Sequence, residues 1–130
     1  MRLIVDGMNV LGSRPDGWWR DRPAAMERLT RRIAAFAERE AIEIIVVWDG
    51  REHARVAAAG RGIEVRFAPG GPDAADREIA RLIRADQDPA SITAASSDRR
   101  LRNSIKAAGA RGISAGDLLR RLGDSESRAI

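Results

Sequence analysis

Arg2-Leu3-Ile4-Val5-Asp6-Gly7 is a short apolar run that stops on an acid and a glycine, and Glu43-Ile44-Ile45-Val46-Val47-Trp48-Asp49-Gly50 repeats the design. An aliphatic stretch of this length, closed by a turn signal, predicts a buried strand. Between the two runs the periodicity changes. Asp21-Arg22-Pro23 opens a helix whose apolar positions Met26, Leu29, Ile33 and Phe36 recur at helical spacing. Beyond the second run, Glu52 to Ala59 is a short helical stretch and Gly60 leads into a third strand over Ile63 to Phe67. After the breaker Pro69-Gly70-Gly71-Pro72 a helix runs from Asp73 to about Asp86, burying Ala75, Ile79, Leu82 and Ile83. Ser91 to Ser96 predicts a fourth strand, Asp98 to Ala108 a helix with Leu101 and Ile105 inward, and Arg111 to Ile113 a brief fifth strand. Ser114-Ala115-Gly116-Asp117 has the spacing of a capping box and starts a last helix over Leu118 to Leu122. The domain is expected to end there, at residue 122, with 123–130 a frayed tail.

Strands alternating with helices across short loops imply an α/β domain with a parallel sheet covered on both faces. With 130 residues the chain has room for one such core and too little for two. In open sheets of this kind ligands bind beyond the carboxyl ends of the strands, near the point where strand order reverses.

Composition narrows the chemistry that can sit there. No Cys excludes disulfides, thiolate zinc sites and thiol nucleophiles, and a single His, His53, excludes a two-His zinc site. The one Lys, Lys106, is followed by Ala107, so there is no Walker A loop. Catalysis must rest mainly on carboxylates, which points to a hard cation. The aliphatic run Ile44 to Val47 falls far short of the roughly 20 residues of a membrane span, and Asp6 interrupts any signal-peptide core, so a cytoplasmic protein with no membrane partner is expected.

Collecting acids at the carboxyl edge gives Asp6 after strand one, Asp49 after strand two, Asp73 and Asp76 opening the helix after strand three, and Asp98 after strand four. Two carboxylates about 4 Å apart repel by about 4 kcal/mol at an effective dielectric near 20, so a cluster of them needs a cation, protons or an Arg. Oxygen-only ligands select Mg²⁺ or Mn²⁺. Setting these five aside leaves 23 basic against 14 acidic residues, a balance of +9. An acidic pit in a positive surface is the pattern of a metal-dependent nuclease. Candidate phosphate contacts are Arg51, Arg77, Arg99, Arg100, Arg102 and Lys106, and Trp18 and Trp19 are placed among arginines where they can stack on bases of a single strand.

At these residues a resemblance becomes visible. Ile4-Val5-Asp6-Gly7-Met8-Asn9-Val10, Val46-Val47-Trp48-Asp49, Asp73-Ala-Ala-Asp76-Arg-Glu-Ile79 and Ser96-Ser97-Asp98-Arg-Arg-Leu101 are similar to the motifs of the YacP-like branch of the NYN domain, within the PIN-like nuclease superfamily, over residues 3 to 122. The resemblance implies a PIN-like three-layer sandwich with a mostly parallel five-stranded sheet, and a ribonuclease that cuts single-stranded RNA with a water activated by Mg²⁺ or Mn²⁺. By position, Asp6, Asp76 and Asp98 match metal-binding acids, Asn9 matches an Asn that braces the site, and Asp49 matches an acid found in many members. Asp73 stands where this branch often carries Glu, and Ser97 is a candidate to set its hydroxyl near metal or phosphate.

Each acid also has a structural reading. Asp-Gly after a strand is a common turn, Asp73 and Asp76 have the spacing of a cap, and Asp98 suits a helix first turn. The Trp pair equally suits loop packing or a homodimer contact, and the Arg series a solvated helix face. The functional alternatives to a nuclease are a catalytically silent module that binds RNA or the ribosome, and a metal-dependent phosphohydrolase of small molecules.

Overall fold

A computed structural model of the chain describes residues 2–129. In chain order the elements are β1 (Arg2–Asp6), α1 (Gly7–Gly12), a 3-10 turn at Trp18–Arg20, α2 (Arg22–Glu40), β2 (Glu43–Asp49), α3 (Ala54–Ala59), β3 (Glu64–Ala68), α4 (Ala74–Ala85), a 3-10 turn at Pro89–Ser91, β4 (Ile92–Ala95), α5 (Arg99–Ala107), β5 (Arg111–Ile113) and α6 (Ala115–Arg128). The five strands form one sheet in the order β3-β2-β1-β4-β5, and every neighbouring pair is parallel. The strand order therefore reverses beside β1, between β1 and β4, which marks the carboxyl ends of those two strands as the binding crevice.

Strand alternation divides the core in two. Leu3, Val5, Val46 and Trp48 point to the face covered by α1, α2 and α6, where Val10, Leu29, Ile33, Leu118 and Leu122 are buried with them. Ile4, Val47 and Ala94 point to the other face and pack with Ile79 and Ile83 of α4 and Leu101 and Ile105 of α5. Because the side-chain period is two, Asp6 follows Ile4 to the α4/α5 side, Asp49 follows Val47, and Ser96 follows Ala94. The same alternation that builds the core thus aims three polar side chains at one corner of the rim.

Element boundaries follow their caps. The Asp21 side chain accepts the Ala24 N–H at 3.3 Å and fixes the start of α2, and Ser114 does the same for α6 through Asp117 N–H at 3.0 Å. The chain differs from the sequence expectation at two places. The first Asp-Gly is a direct strand-to-helix junction rather than a turn, since α1 begins at Gly7. The second correction concerns the stretch from 123 on, expected to fray: α6 continues unbroken to Arg128, and Ile130 lies outside the described residues. Polar ties not visible in the apolar spacing hold it. Arg32 donates twice to Glu126 at 2.7 Å, Arg39 donates to the buried Ser125 hydroxyl at 2.7 Å, and Arg128 donates to Glu40 at 3.0 Å. Ending the chain at Leu122 is expected to lower stability by about 1 to 2 kcal/mol, the partly exposed ion pair contributing at the low end. A thermal melt unchanged by that truncation would restore the frayed reading.

Candidate active site

At the end of β1, Asp6 is 3% exposed, and its carboxylate accepts the Ser96 hydroxyl at 2.9 Å. The Ser96 oxygen in turn accepts the Asp98 N–H at 3.1 Å, so one hydroxyl ties the ends of β1 and β4 together across the crevice. Burial pushes the Asp6 carboxyl up to about 7, and the charges of Asp76 and Asp49 push the same way, against the Ser96 hydroxyl and the nearby Asn9 backbone N–H. Asp76, in the first turn of α4, is pushed up to about 6, first by burial and then by the fields of Asp98, Asp73 and Asp49, with Arg100 opposing. These five acids therefore share one electrostatic neighbourhood.

The acids differ in how much structural work they do. Asp49 Oδ1 accepts the Ala75 N–H at 2.9 Å and so caps α4 from a neighbouring strand. Asp98 Oδ1 accepts the Leu101 N–H at 2.9 Å and caps α5. Each keeps its second oxygen. Asp73 occupies the N-cap position of α4 with φ of 67° and makes no side-chain cap bond, and Arg100 lies 3.6 Å from it. Asp76 accepts no hydrogen bond among the described residues, so the capping-box reading of Asp73 and Asp76 does not hold. The expected convergence of all five is looser than the sequence implied. Among the described residues no three acidic or His side chains stand close enough together to form a ready-made metal cage, because Asp49 and Asp98 are turned toward helix ends.

The supporting residues divide similarly. Asn9 Oδ1 accepts the Ser97 N–H at 2.7 Å, which ties α1 to the loop from β4 to α5. The Ser97 hydroxyl, a candidate for metal or phosphate, instead accepts the Ala115 N–H at 2.9 Å and secures the start of α6. Ser96, missed in the sequence, is the residue that touches Asp6; the register Val5↔Ala95 would have found it, since the next pair is Asp6 beside Ser96.

Among the basic candidates, Arg77 reaches back to the carbonyls of Gly70 and Pro72 at 3.3 and 3.4 Å, and Arg102 leans on the Gly112 carbonyl at 3.5 Å, toward β5. Arg51, Arg99, Arg100 and Lys106 are exposed. Trp18 packs partly against the α1/α2/α6 core, while Trp19 is 58% exposed, edge-on to Trp18 at 6.0 Å, with the Arg20 guanidinium 6.0 Å from its ring centre. The Trp pair and the acids thus flank the rim from opposite sides of the sheet.

A five-stranded parallel sheet in this order, with acids gathered where the strand order reverses, defines a nuclease fold of the NYN and PIN-like class. The sequence profile of the YacP-like NYN domain matches residues 3–129, and the chain belongs to that family. Two solved structures are similar to it. One is Rae1 (YacP) from Bacillus subtilis carrying W164L, with a TM-score of 0.81 and 28% identity over 98% of this chain and 77% of that one. The other is Rae1 (YacP) from Bacillus subtilis without that change, with a TM-score of 0.76 and 26% identity over 99% of this chain and 77% of that one. No curated protein matches the sequence. Among the described residues no helix is long and apolar enough to cross a membrane.

Proposed function

We propose that the chain is a cytoplasmic, divalent-metal-dependent endoribonuclease that hydrolyses single-stranded RNA. The observation that carries this reading is the pair Asp6 and Asp76, both pushed up toward neutrality at the strand-order reversal. Acids that burial first, and neighbouring carboxylates second, hold toward the neutral form, with no hydrogen bond to Asp76 among the described residues, make sense as ligands waiting for a cation.

The donor set fits Mg²⁺ or Mn²⁺. Mg²⁺ is usually bound by one or two carboxylates together with waters and substrate phosphates, so a complete protein cage is not required. Asp6 and Asp76 would hold it, with the uncommitted oxygen of Asp98 reached through a water. Such an ion supplies Lewis-acid polarisation of the phosphate and a water acidified for attack. Around it, Asp73 and the second oxygen of Asp49 are placed to orient that water and take its proton. Arg100, beside Asp73, is placed to hold a phosphate oxygen. Asn9, Ser96 and Ser97 keep the two strand ends and the loop after β4 in register. Trp19, with its ring in solvent, is placed to stack on a base. Attack on phosphorus with departure of the 3′ oxygen gives a 3′-hydroxyl and a 5′-phosphate.

The test uses labelled single-stranded RNA and DNA with Mn²⁺, Mg²⁺ or EDTA, and the variant Asp76→Asn. RNA is expected to be cut with metal and left intact in EDTA. Asp76→Asn is expected to lose more than about 100-fold in rate, beyond the effect usual for a residue that only supports a metal ligand. Tight RNA binding with no cleavage in any metal would overturn the enzyme and favour the silent binding module.

A further inference from the structure

Resting on the nuclease reading, we infer that the trough between α4 and α5, lined by Asp73, Asp76, Arg77, Arg84, Arg100 and Ser104, is a backbone subsite that carries the RNA strand away from the acids on one side of the cut. Its volume is about 390 Å³, and Ala80 and Leu101 form a small apolar floor. The two acids belong to the active site already described, so the trough opens directly into it.

The arrangement follows from helix geometry. Arg77, Ala80 and Arg84 recur at intervals of three and four along one face of α4, and Arg100, Leu101 and Ser104 face them from α5. Arg77 and Arg84 are seven residues apart, about 10 Å along the helix. At a strand rise of about 3.4 Å per nucleotide in duplex DNA, that length takes at least two successive phosphates. Charge selects the occupant: three guanidinium groups line the trough below two carboxylates, a sequence of signs suited to a polyanion whose reacting phosphate sits at a cation-binding end. Arg77 and Arg100 already have contacts at the upper end, with the Gly70 and Pro72 carbonyls and with Asp73. Arg84 has no ion-pair partner among the described residues, and it lies furthest from the acids, where it would hold the most distant phosphate. The small floor admits a sugar-phosphate backbone and gives no large aromatic platform for a base, so the subsite is expected to be indifferent to sequence.

The test measures binding, which does not require cleavage. A fluorescein-labelled 12-mer of oligouridylate is titrated by anisotropy against the whole chain in EDTA, at several salt concentrations. The variants are Arg84→Ala, Arg77→Ala and, as a control on α2 away from the trough, Arg31→Ala. Arg84→Ala is expected to weaken binding about 3- to 10-fold at 0.1 M salt and to reduce the salt slope by about 0.7, with Arg31→Ala closer to wild type. Thermal melts confirm that the exposed substitution leaves the fold intact. Wild-type binding with an unchanged slope in Arg84→Ala overturns the trough and leaves the nuclease reading standing. An equal loss in Arg31→Ala also overturns it, since diffuse surface charge would then account for binding. If the wild-type chain binds no oligouridylate even at low salt, the trough and the RNA substrate fail together.

Discussion

Asp6→Asn is expected to make the metal-free protein more stable at neutral pH while removing the RNA cleavage proposed above. The Asp6 carboxyl is raised from an ordinary value of 3.8 to about 7, chiefly by burial. The folded state therefore binds a proton more tightly than the unfolded state, and the native protein must give up that proton, or carry the buried charge, as pH rises. The contribution of the protonated acid is fully present below about pH 4 and is lost progressively up to about pH 7. Asn keeps an amide oxygen to accept the Ser96 hydroxyl and carries no charge, so this loss disappears. In EDTA the advantage of the variant should grow from pH 4 to pH 7 and level off above, at a few kcal/mol by order of magnitude. Adding Mn²⁺ should stabilise only the wild type, because binding to the native state adds to its stability. Denaturant melts across that pH range decide the matter. A variant that is less stable than wild type at pH 8 in EDTA would mean that Asp6 is a structural acid, and that its burial is compensated by bonds Asn cannot reproduce.

Gly7→Ala is expected to damage both the fold and the site. A methyl group at Gly7 would sit 2.6 to 2.9 Å from three ring carbons of Trp48, and Trp48 is fully buried with no direction in which to retreat. Overpacking of this kind costs about 1 to 3 kcal/mol or more. It also acts on the site, since Gly7 joins the residue carrying the Asp6 carboxylate to the helix carrying Asn9. Loss of stability should therefore be accompanied by loss of activity at temperatures where the variant is still folded. Trp48→Leu leaves a cavity and by itself should cost about 3 kcal/mol. It also removes an indole N–H that has no hydrogen-bond partner among the described residues. The double variant should be less impaired than the sum of the two singles, by about 1 kcal/mol or more, because the ring that the new methyl strikes is gone. Strict additivity in chemical melts would show that the two residues do not meet.

The amount of this that was legible in the amino-acid order depends on which physical signal carried it. The runs ending at Asp6 and Asp49 announce themselves because burial on both faces demands continuous aliphatic sequence, and helices α2, α4 and α5 follow from apolar spacing. Helix α1 was missed because Gly7-Met8-Asn9 reads as a turn and the element is only six residues long. The end of α6 was missed because it is held by Arg32, Arg39 and Glu40, which are distant in sequence. At the site, the rim positions were readable from strand ends alone. The direction of each carboxylate was not: Asp49 could be seen as a turn residue or a ligand and Asp98 as a first-turn acid or a ligand, and the structure shows that each caps a helix with one oxygen, Asp49 through the distant Ala75 N–H and Asp98 through the local Leu101 N–H. Ser96 was hidden because its importance lies in the pairing of β4 with β1, a contact across some ninety positions of chain.

The strand alternation that aims Asp6, Asp49 and Ser96 at the α4/α5 side has a consequence for how such a domain can change. Sliding β1, β2 or β4 by one residue would turn its polar end group to the opposite face and expose its half of the core at the same stroke. Those three positions are consequently locked by the same requirement that keeps the protein folded. Arg77, Arg84 and Arg100 stand on outer helices whose exposed faces can be rewritten without disturbing the sheet. A variant with a changed affinity for the proposed RNA substrate should therefore be sought by randomising those three basic positions, leaving the strands and Asp76 as they are.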